Sequence, residues 1–133
     1  MIRLATEADL PAMNEFCGSH AEFVRSSVDA EHCYLSETNS EVTGLAVLNN
    51  SFFGCGFVAL LVVRQTHRRG GIGEALMKFL PGVCEQPKLF TSTNLSNLPM
   101  QSLLAKLDWQ LSGVIHNLDP GDPELVYYLP GRV

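Results

Sequence analysis

Residues 57–80, FVALLVVRQTHRRGGIGEALMKFL, constrain the fold more than any other stretch of the chain. The first seven residues are continuously apolar, which is typical of a strand covered on both faces of a sheet. The last nine residues repeat apolar side chains at helical spacing, at Ile72, Ala75, Leu76, Phe79 and Leu80. A basic, glycine-rich turn joins the two, and its glycines are Gly70, Gly71 and Gly73. Such a turn predicts an anion site, because the first N–H groups of a helix lack backbone partners and the helix dipole adds positive potential there.

The composition is that of a globular protein. The chain has 133 residues, of which 46% are hydrophobic and 17% charged, and this predicts one domain with its own core. No apolar run approaches the roughly 18 residues of a membrane span, and the N-terminus lacks a signal-peptide core, so we expect a cytoplasmic protein with no membrane partner. The four cysteines form no CxxC pair, so neither a metal site nor a disulfide framework is predicted. The net charge of −5 argues against a nucleic-acid partner and suits a cationic substrate.

The remaining pattern predicts the element order β-α-α-β-β-β-α-β-α-β-β. Thr6 and Asp9 predict a capping box at the first helix. Turns are predicted at residues 39–40 and 49–51, and Pro81 predicts that the helix after the glycine turn weakens or ends there. Three consecutive strands in the middle exclude simple βαβ winding, so the predicted class is α/β or α+β with a mixed sheet.

Two familiar phosphate-binding loops do not fit the glycine turn. A Walker A loop needs GxxxxGK[ST], and neither Lys-Ser nor Lys-Thr follows these glycines. A dinucleotide fingerprint needs GxGxxG, and Leu76 occupies the position of its third glycine. Arg68, Gly71 and Gly73 instead fill the pattern Q/R-x-x-G-x-G/A. The turn therefore resembles the pyrophosphate loop of the GNAT superfamily of acyl-CoA-dependent N-acyltransferases.

Other segments extend this resemblance over nearly the whole chain. Residues 2–10 resemble the family's first strand and helix start, and residues 61–63 resemble the strand that splays to admit the pantetheine arm. A third segment resembles the helix that ends the cofactor site, through Asn97, Leu103, Lys106 and Trp109. FTSTNLSNLPMQ at residues 90–101 and GDPELV at residues 121–126 resemble a subgroup of the family. The resemblance implies one domain over residues 1–133, with a mixed, mostly antiparallel sheet of about six to seven strands flanked by about four helices.

The resemblance also implies acetyl-CoA as the acyl donor, and it implies no metal. The residues that would hold the pyrophosphate are Arg68, Arg69, Gly70, Gly71, Ile72, Gly73 and Glu74. Leu61, Val62 and Val63 would lie along the pantetheine arm, with the backbone of Leu61 and Val63 paired to its amides. The Val63 N–H would polarise the thioester carbonyl, a role that needs no side chain. Asn97 would contact the same arm, or would act only as a helix N-cap.

Departures from the family pattern concern the catalytic groups. Leu104 stands where the family usually has a tyrosine that protonates the leaving thiolate. A free thiol has a pKa of about 8.5, so the thiolate leaves near neutral pH with modest help. The attacking amine needs a base more, since a lysine-like ammonium has a pKa of about 10.4. No carboxylate lies in the apolar strand, so the candidates for a base lie on loops. They are Asp29, Glu31, His116, Asp119, Asp122 and Glu124, and Asp122, Glu124 and His116 are the main ones. The alternative is that Asp122 shapes a Pro-Gly turn and that His116 is only structural.

We therefore expect an N-acetyltransferase that moves an acetyl group from acetyl-CoA to a primary amine of a small molecule or peptide, by direct attack in a ternary complex. Leu104 favours one alternative, a non-catalytic acyl-CoA-binding module that regulates a partner. An enzyme that acetylates aminoacyl-tRNA is disfavoured by the net charge of −5 and by the lack of a basic stripe. Exposed edge strands allow a homodimer.

Overall fold

The computed structural model describes residues 1–132. Seven strands form one sheet in the order β1-β2-β3-β4-β5-β7-β6. The strands are β1 (Ile2–Leu4), β2 (Cys33–Thr38), β3 (Glu41–Phe52), β4 (Cys55–Val63), β5 (Leu89–Asn94), β6 (Gln110–Ile115) and β7 (Glu124–Tyr128). The helices are α1 (Leu10–Asn14), α2 (Ala21–Asp29), α3 (Ile72–Val83) and α4 (Leu98–Lys106). β4 and β5 run parallel, whereas β1–β2, β2–β3, β5–β7 and β6–β7 are antiparallel. The predicted element order and the mixed, mostly antiparallel sheet are confirmed.

Contacts between Cα atoms group the chain into two compact units. One contains Met1–Asn49 and Ala59–Val83, and the other contains Asn50–Val58 and the residues from Cys84 onward. β3 and β4 contribute residues to both units. Within residues 1–132, no helix is long and apolar enough to cross a membrane.

The first unit has a hydrophobic cluster that joins α1 and α2 to strands β2 and β3. Its fully buried members include Met13, Val24, Leu35, Leu45 and Val47. These side chains come from one face of each helix and from inward positions of each strand, as the apolar periodicity requires. The end of β4 packs against the same cluster through Ala59, Leu60 and Val62.

Helix α3 approaches β3 closely at Gly44. A Cβ atom at Gly44 would lie 2.9 Å from Cγ2 of Ile72 and 3.2 Å from Cδ1 of Leu76. Only a glycine therefore lets the first turns of α3 pack this near the sheet. The helix also buries Met77 and Leu80. This packing fixes the position of the N-terminus of α3, where the glycine turn ends.

The predicted capping box is present at the start of the short 3-10 helix Glu7–Asp9 that leads into α1. The Thr6 N–H donates to the Asp9 carboxylate at 2.8 Å. Arg3 donates to both oxygens of the same carboxylate at 2.9 Å, and to Glu37 at 2.7 Å. The bond from Arg3 is the main reason that the pKa of Asp9 falls to about 2.

Two tight hairpins join the middle strands. Asn39 and Ser40 link β2 to β3 with φ values of 52° and 65°, the left-handed conformation of a two-residue turn, which confirms that predicted turn. The turn predicted at residues 49–51 is wrong, because β3 continues to Phe52. The chain reverses instead at Phe53 and Gly54, with φ values of 53° and 74°. A glycine adopts a positive φ without strain, so the chain can reverse at Gly54, just after β3 ends.

Helix α3 runs through Pro81 and ends at Val83. Proline removes one N–H and crowds the carbonyl four residues earlier, which costs most inside a long helix. Here only two residues follow it, so the disturbance is confined to the last turn. Burial of Met77 and Leu80 in the preceding turns holds the helix past the predicted boundary.

The second unit contains the strands β5, β6 and β7, and the helix α4 lies between β5 and β6 in sequence. Leu89, Thr91, Leu104 and Trp109 are almost completely buried. The burial of β5 alternates strictly: Leu89, Thr91 and Thr93 are buried, whereas the residues between them are half-buried. β5 therefore has one closed face and one partly open face.

Candidate active site

Strand β4 changes character halfway along its length. Its register with β5 covers Gly56 to Val58, and the Thr91 hydroxyl donates to the Val58 carbonyl at 2.8 Å at the end of this ladder. Beyond it, every residue from Ala59 to Val63 is half-buried. The prediction that the strand is covered on both faces is therefore wrong for residues 59–63. An apolar strand that keeps accessible surface over five consecutive residues is able to pack against a bound ligand.

The turn after β4 has the geometry of an anion site. A 3-10 helix, Gln65–His67, leads to Arg68 and Arg69, and both arginines are exposed. Arg69 and Gly71 have φ values of 68° and 83°, which turn the backbone sharply before α3 begins at Ile72. A Cβ atom at Gly71 would meet nothing within 4 Å, so the surface over the turn is open. Because α3 is 12 residues long, its N-terminus adds a full dipole effect to these N–H groups.

Two side-chain contacts shape the same turn. Arg68 donates from Nε to the Val63 carbonyl at 3.3 Å, which folds its side chain back over the end of β4. Glu74, in the first turn of α3, forms an ion pair with Lys78 at 3.0 Å. That partner offsets the negative charge that Glu74 brings to the helix N-terminus. The seven predicted loop residues, 68–74, thus lie together around one exposed helix N-terminus.

Arg64 is a structural residue of the site that the sequence analysis missed. Its side chain donates to the Val42 carbonyl at 3.0 Å and to Glu15 at 3.0 Å, and it lies 4.7 Å from the ring centre of Phe16. Arg64 directly follows Val63, so these contacts link the end of β4 to β3 and to the C-terminal end of α1. No motif marks this position, because its three partners are distant in sequence. An open cavity of about 500 Å³ borders these groups, and its lining includes Phe16, Glu41, Val63, Arg64 and Arg68.

Asn97 forms the N-cap of α4. Its Oδ1 accepts from the Met100 N–H at 3.2 Å, and the residue is exposed. The N-cap alternative is therefore observed, and the contact with the pantetheine arm stays a prediction.

Two of the three candidates for a base accept hydrogen bonds from serines, one within β5 and one just after it. Both carboxylate oxygens of Asp122 accept from Ser96, at 2.9 Å from its N–H and at 2.6 Å from its hydroxyl. The Asp122 N–H donates to the Asp119 carbonyl at 3.0 Å. The geometry is that of a turn, which supports the structural alternative for Asp122 without testing its role in catalysis.

Glu124 and His116 lie in different surroundings. Glu124 is half-buried at the start of β7 and accepts from the Ser92 hydroxyl at 2.6 Å. His116 is exposed, one residue after β6 ends. The hydrogen bond of Glu124 involves one of its two oxygens, so its carboxylate keeps more capacity for a ligand than that of Asp122. Among residues 1–132, no group of three or more His, Cys, Asp or Glu side chains is arranged to hold a metal ion.

Comparisons with known proteins agree with this geometry. The model of the acetyltransferase (GNAT) family matches residues 3–109. A GNAT-family acetyltransferase from Bacillus cereus superposes with a TM-score of 0.92 and 29% identity, over 97% of this chain and 95% of that one. The ribosomal-protein-S18-alanine N-acetyltransferase from Escherichia coli superposes with a TM-score of 0.82 and 18% identity, over 98% of this chain and 92% of that one.

A third solved structure shares the fold as well. Ard1 from Thermoplasma volcanium superposes with a TM-score of 0.84 and 14% identity, over 97% of this chain and 95% of that one. None of the curated proteins compared with the chain matches it. The family model covers most of the chain and includes the strand, the glycine turn and α3. The chain belongs to the GNAT family of acetyltransferases.

Proposed function

We propose that residues 1–133 act as a single-domain N-acetyltransferase that moves an acetyl group from acetyl-CoA to a primary amine by direct attack in a ternary complex. One observation carries the proposal: a half-buried apolar strand leads into an open glycine turn at the N-terminus of a 12-residue helix. This arrangement suits a ligand with an apolar arm and a pyrophosphate. Family membership makes coenzyme A the ligand with that chemistry.

The residues of the first unit fit the donor. The backbone of residues 68–74 would bind the pyrophosphate, and Gly71 leaves room for it because a Cβ there would meet nothing within 4 Å. Arg68 and Arg69 would add positive charge at the exposed rim. The backbone of Leu61 and Val63 would pair with the pantetheine amides, and Val62 would lie in the same strand. The Val63 N–H would polarise the thioester carbonyl. Asn97 caps α4, and its contact with the arm stays a separate prediction.

The acceptor side supplies the proton chemistry. The thioester provides the acyl group, and the amine must lose a proton before or during its attack. Glu124 is the strongest candidate for binding or deprotonating the amine, because Asp122 already uses both oxygens in the turn. His116 is the remaining candidate. The acceptor is a small molecule or a peptide amine, and the chain acts in the cytoplasm without nucleic-acid or membrane partners.

A second function is favoured by one observation. Leu104, at the position of the family's usual tyrosine acid, is completely buried and offers no proton donor. A regulatory module that binds acyl-CoA without transferring the acyl group would need no such donor. The two functions differ in a simple measurement, because only the enzyme releases free thiol from acetyl-CoA in proportion to added amine.

The experiment combines binding and turnover. Calorimetric titration with coenzyme A tests the donor site, and a thiol-release assay with a panel of amines and polyamines tests transfer. Tight binding with amine-dependent thiol release supports the enzyme. Tight binding with slow, amine-independent release supports the module, and no binding at all refutes both.

A further inference from the structure

The partly open face of the second unit carries four aromatic rings in a row. Phe57, Phe90 and Tyr128 are neighbours in register across β4, β5 and β7. Phe52 stacks on Phe57 with a centroid distance of 5.2 Å and an interplanar angle of 19°. Phe90 lies 5.2 Å from Phe52 and 5.1 Å from Tyr128, measured between ring centroids. We call Phe52, Phe57, Phe90 and Tyr128 the aromatic row.

The aromatic row is accessible. All four rings are half-buried, whereas Leu89 and Thr91, on the opposite face of β5, are buried. Partly exposed rings in mutual contact form an apolar surface that solvent reaches in part. Such surfaces mark binding sites more often than single exposed apolar residues do.

A carboxylate lies on the same face, four residues along β7 from Tyr128, with the buried Val126 between them. Ser92 follows Phe90 by two residues and Glu124 precedes Tyr128 by four, so strand alternation puts all of them on one face. The Ser92 hydroxyl holds the Glu124 carboxylate at 2.6 Å.

We propose that this face binds the acceptor, and that the acceptor is a primary amine with an aromatic or extended apolar body. The ammonium lies at Glu124, where Ser92 orients the carboxylate, and the body lies on the aromatic row. Ring faces attract cations as well as apolar groups, so both ends of such a ligand are favoured here. The net charge of −5 also favours a cation. This inference rests on the proposed function and specifies its acceptor.

The test compares 2-phenylethylamine with ethanolamine as acceptors of the full chain in the thiol-release assay. The two are similar in length around the amine but differ in the apolar body, and we expect kcat/KM to be at least about tenfold higher for 2-phenylethylamine. Phe90→Leu keeps an apolar side chain but removes the ring face, and should raise KM for 2-phenylethylamine about fivefold. Glu124→Gln should raise KM for both amines. Phe79→Leu is the matched control, because Phe79 also contacts an aromatic ring, Tyr34, but lies on α3.

A second measurement keeps the inference separate from the proposed function. Saturation-transfer NMR detects 2-phenylethylamine on the protein without acetyl-CoA, and Phe90→Leu should weaken this signal while Phe79→Leu leaves it unchanged. If the protein binds coenzyme A and turns over both amines equally, the inference is wrong but the proposed transferase function still holds. If the protein does not bind coenzyme A but still gives the NMR signal, the proposed transferase function is wrong and the face is an amine-binding site. If Phe90→Leu instead turns a dimer into a monomer in sedimentation velocity, the row contacts a second copy, and the inference is wrong.

Discussion

A charge placed at Gly71 tests the anion site directly. Gly71 has a φ of 83°, and an added Cβ meets nothing within 4 Å, so Gly71→Ala and Gly71→Glu carry the same backbone strain without a clash. That strain costs about 1–2 kcal/mol of stability in both variants. Only Gly71→Glu adds a negative charge beside the position assigned to the pyrophosphate. The difference between the two variants therefore isolates the electrostatic effect.

The size of this effect follows from Coulomb's law. Two unit charges about 5 Å apart repel by about 1 kcal/mol in bulk water and by about 3 kcal/mol at an effective dielectric constant of 20. The turn is exposed, so the value for one phosphate charge lies between these limits, and a second phosphate charge adds to it. We expect coenzyme A to bind Gly71→Glu about 30- to 1,000-fold more weakly than Gly71→Ala.

Calorimetric titration at low and high salt measures this difference. The difference in coenzyme A affinity between the two variants should decrease as the salt concentration rises, because counterions can reach the exposed turn. Thermal unfolding of both variants should show a similar loss of stability, which rules out misfolding of the Glu variant alone. Equal affinity of the two variants at low salt would refute the placement of the anion at the N-terminus of α3.

The other predictions concern the first helix, a hairpin and the acceptor side. Phe53→Asn should raise the free energy of unfolding by about 0.5–1 kcal/mol, because asparagine tolerates the φ of 53° at this turn better than phenylalanine does; denaturant titration measures it. Since the pKa of Asp9 is lowered to about 2, its stabilising effect is complete above the unfolded value of 3.8 and is lost as the pH falls through about 2. Asp9→Asn should therefore cost about 1–2 kcal/mol at pH 5 and much less near pH 2, after allowance for the one-third exposure of Arg3, and equal losses at both pH values would contradict this. Asp122→Asn should lower the melting temperature with little change in turnover, whereas Glu124→Gln should lower turnover with little change in melting temperature; the opposite pattern would exchange their roles.

The order of elements and the location of the glycine turn were predictable because both depend on local patterns. Apolar periodicity distinguishes strands from helices, and glycines that need positive φ mark turns. The Asn39-Ser40 hairpin belongs to the same category. The hairpin at Phe53 was missed, since phenylalanine is a rare residue in the left-handed conformation.

The exposure of β4 and the surroundings of the site were not predictable from local patterns. Residues 59–63 have the sequence of a fully buried strand, but their burial depends on how far the β5 ladder extends, and that ladder stops at Val58. Arg64 likewise contacts residues 22 and 49 positions away. The aromatic row consists of residues from four strands, and no sequence period relates them.

Hydrogen bonds link residues 92–96, at the end of β5 and just after it, to residues 119–124, in the loop before β7 and at the start of that strand. These bonds limit how this protein can be re-engineered. Ser92 binds Glu124, Ser96 binds Asp122, and Asn94 binds the Asp119 carboxylate at 2.9 Å. A grafted 117–124 loop from another acetyltransferase would leave the three side chains of residues 92–96 without their carboxylates. The two segments should therefore be exchanged together. A chimera that replaces both should have a higher melting temperature than one that replaces either alone.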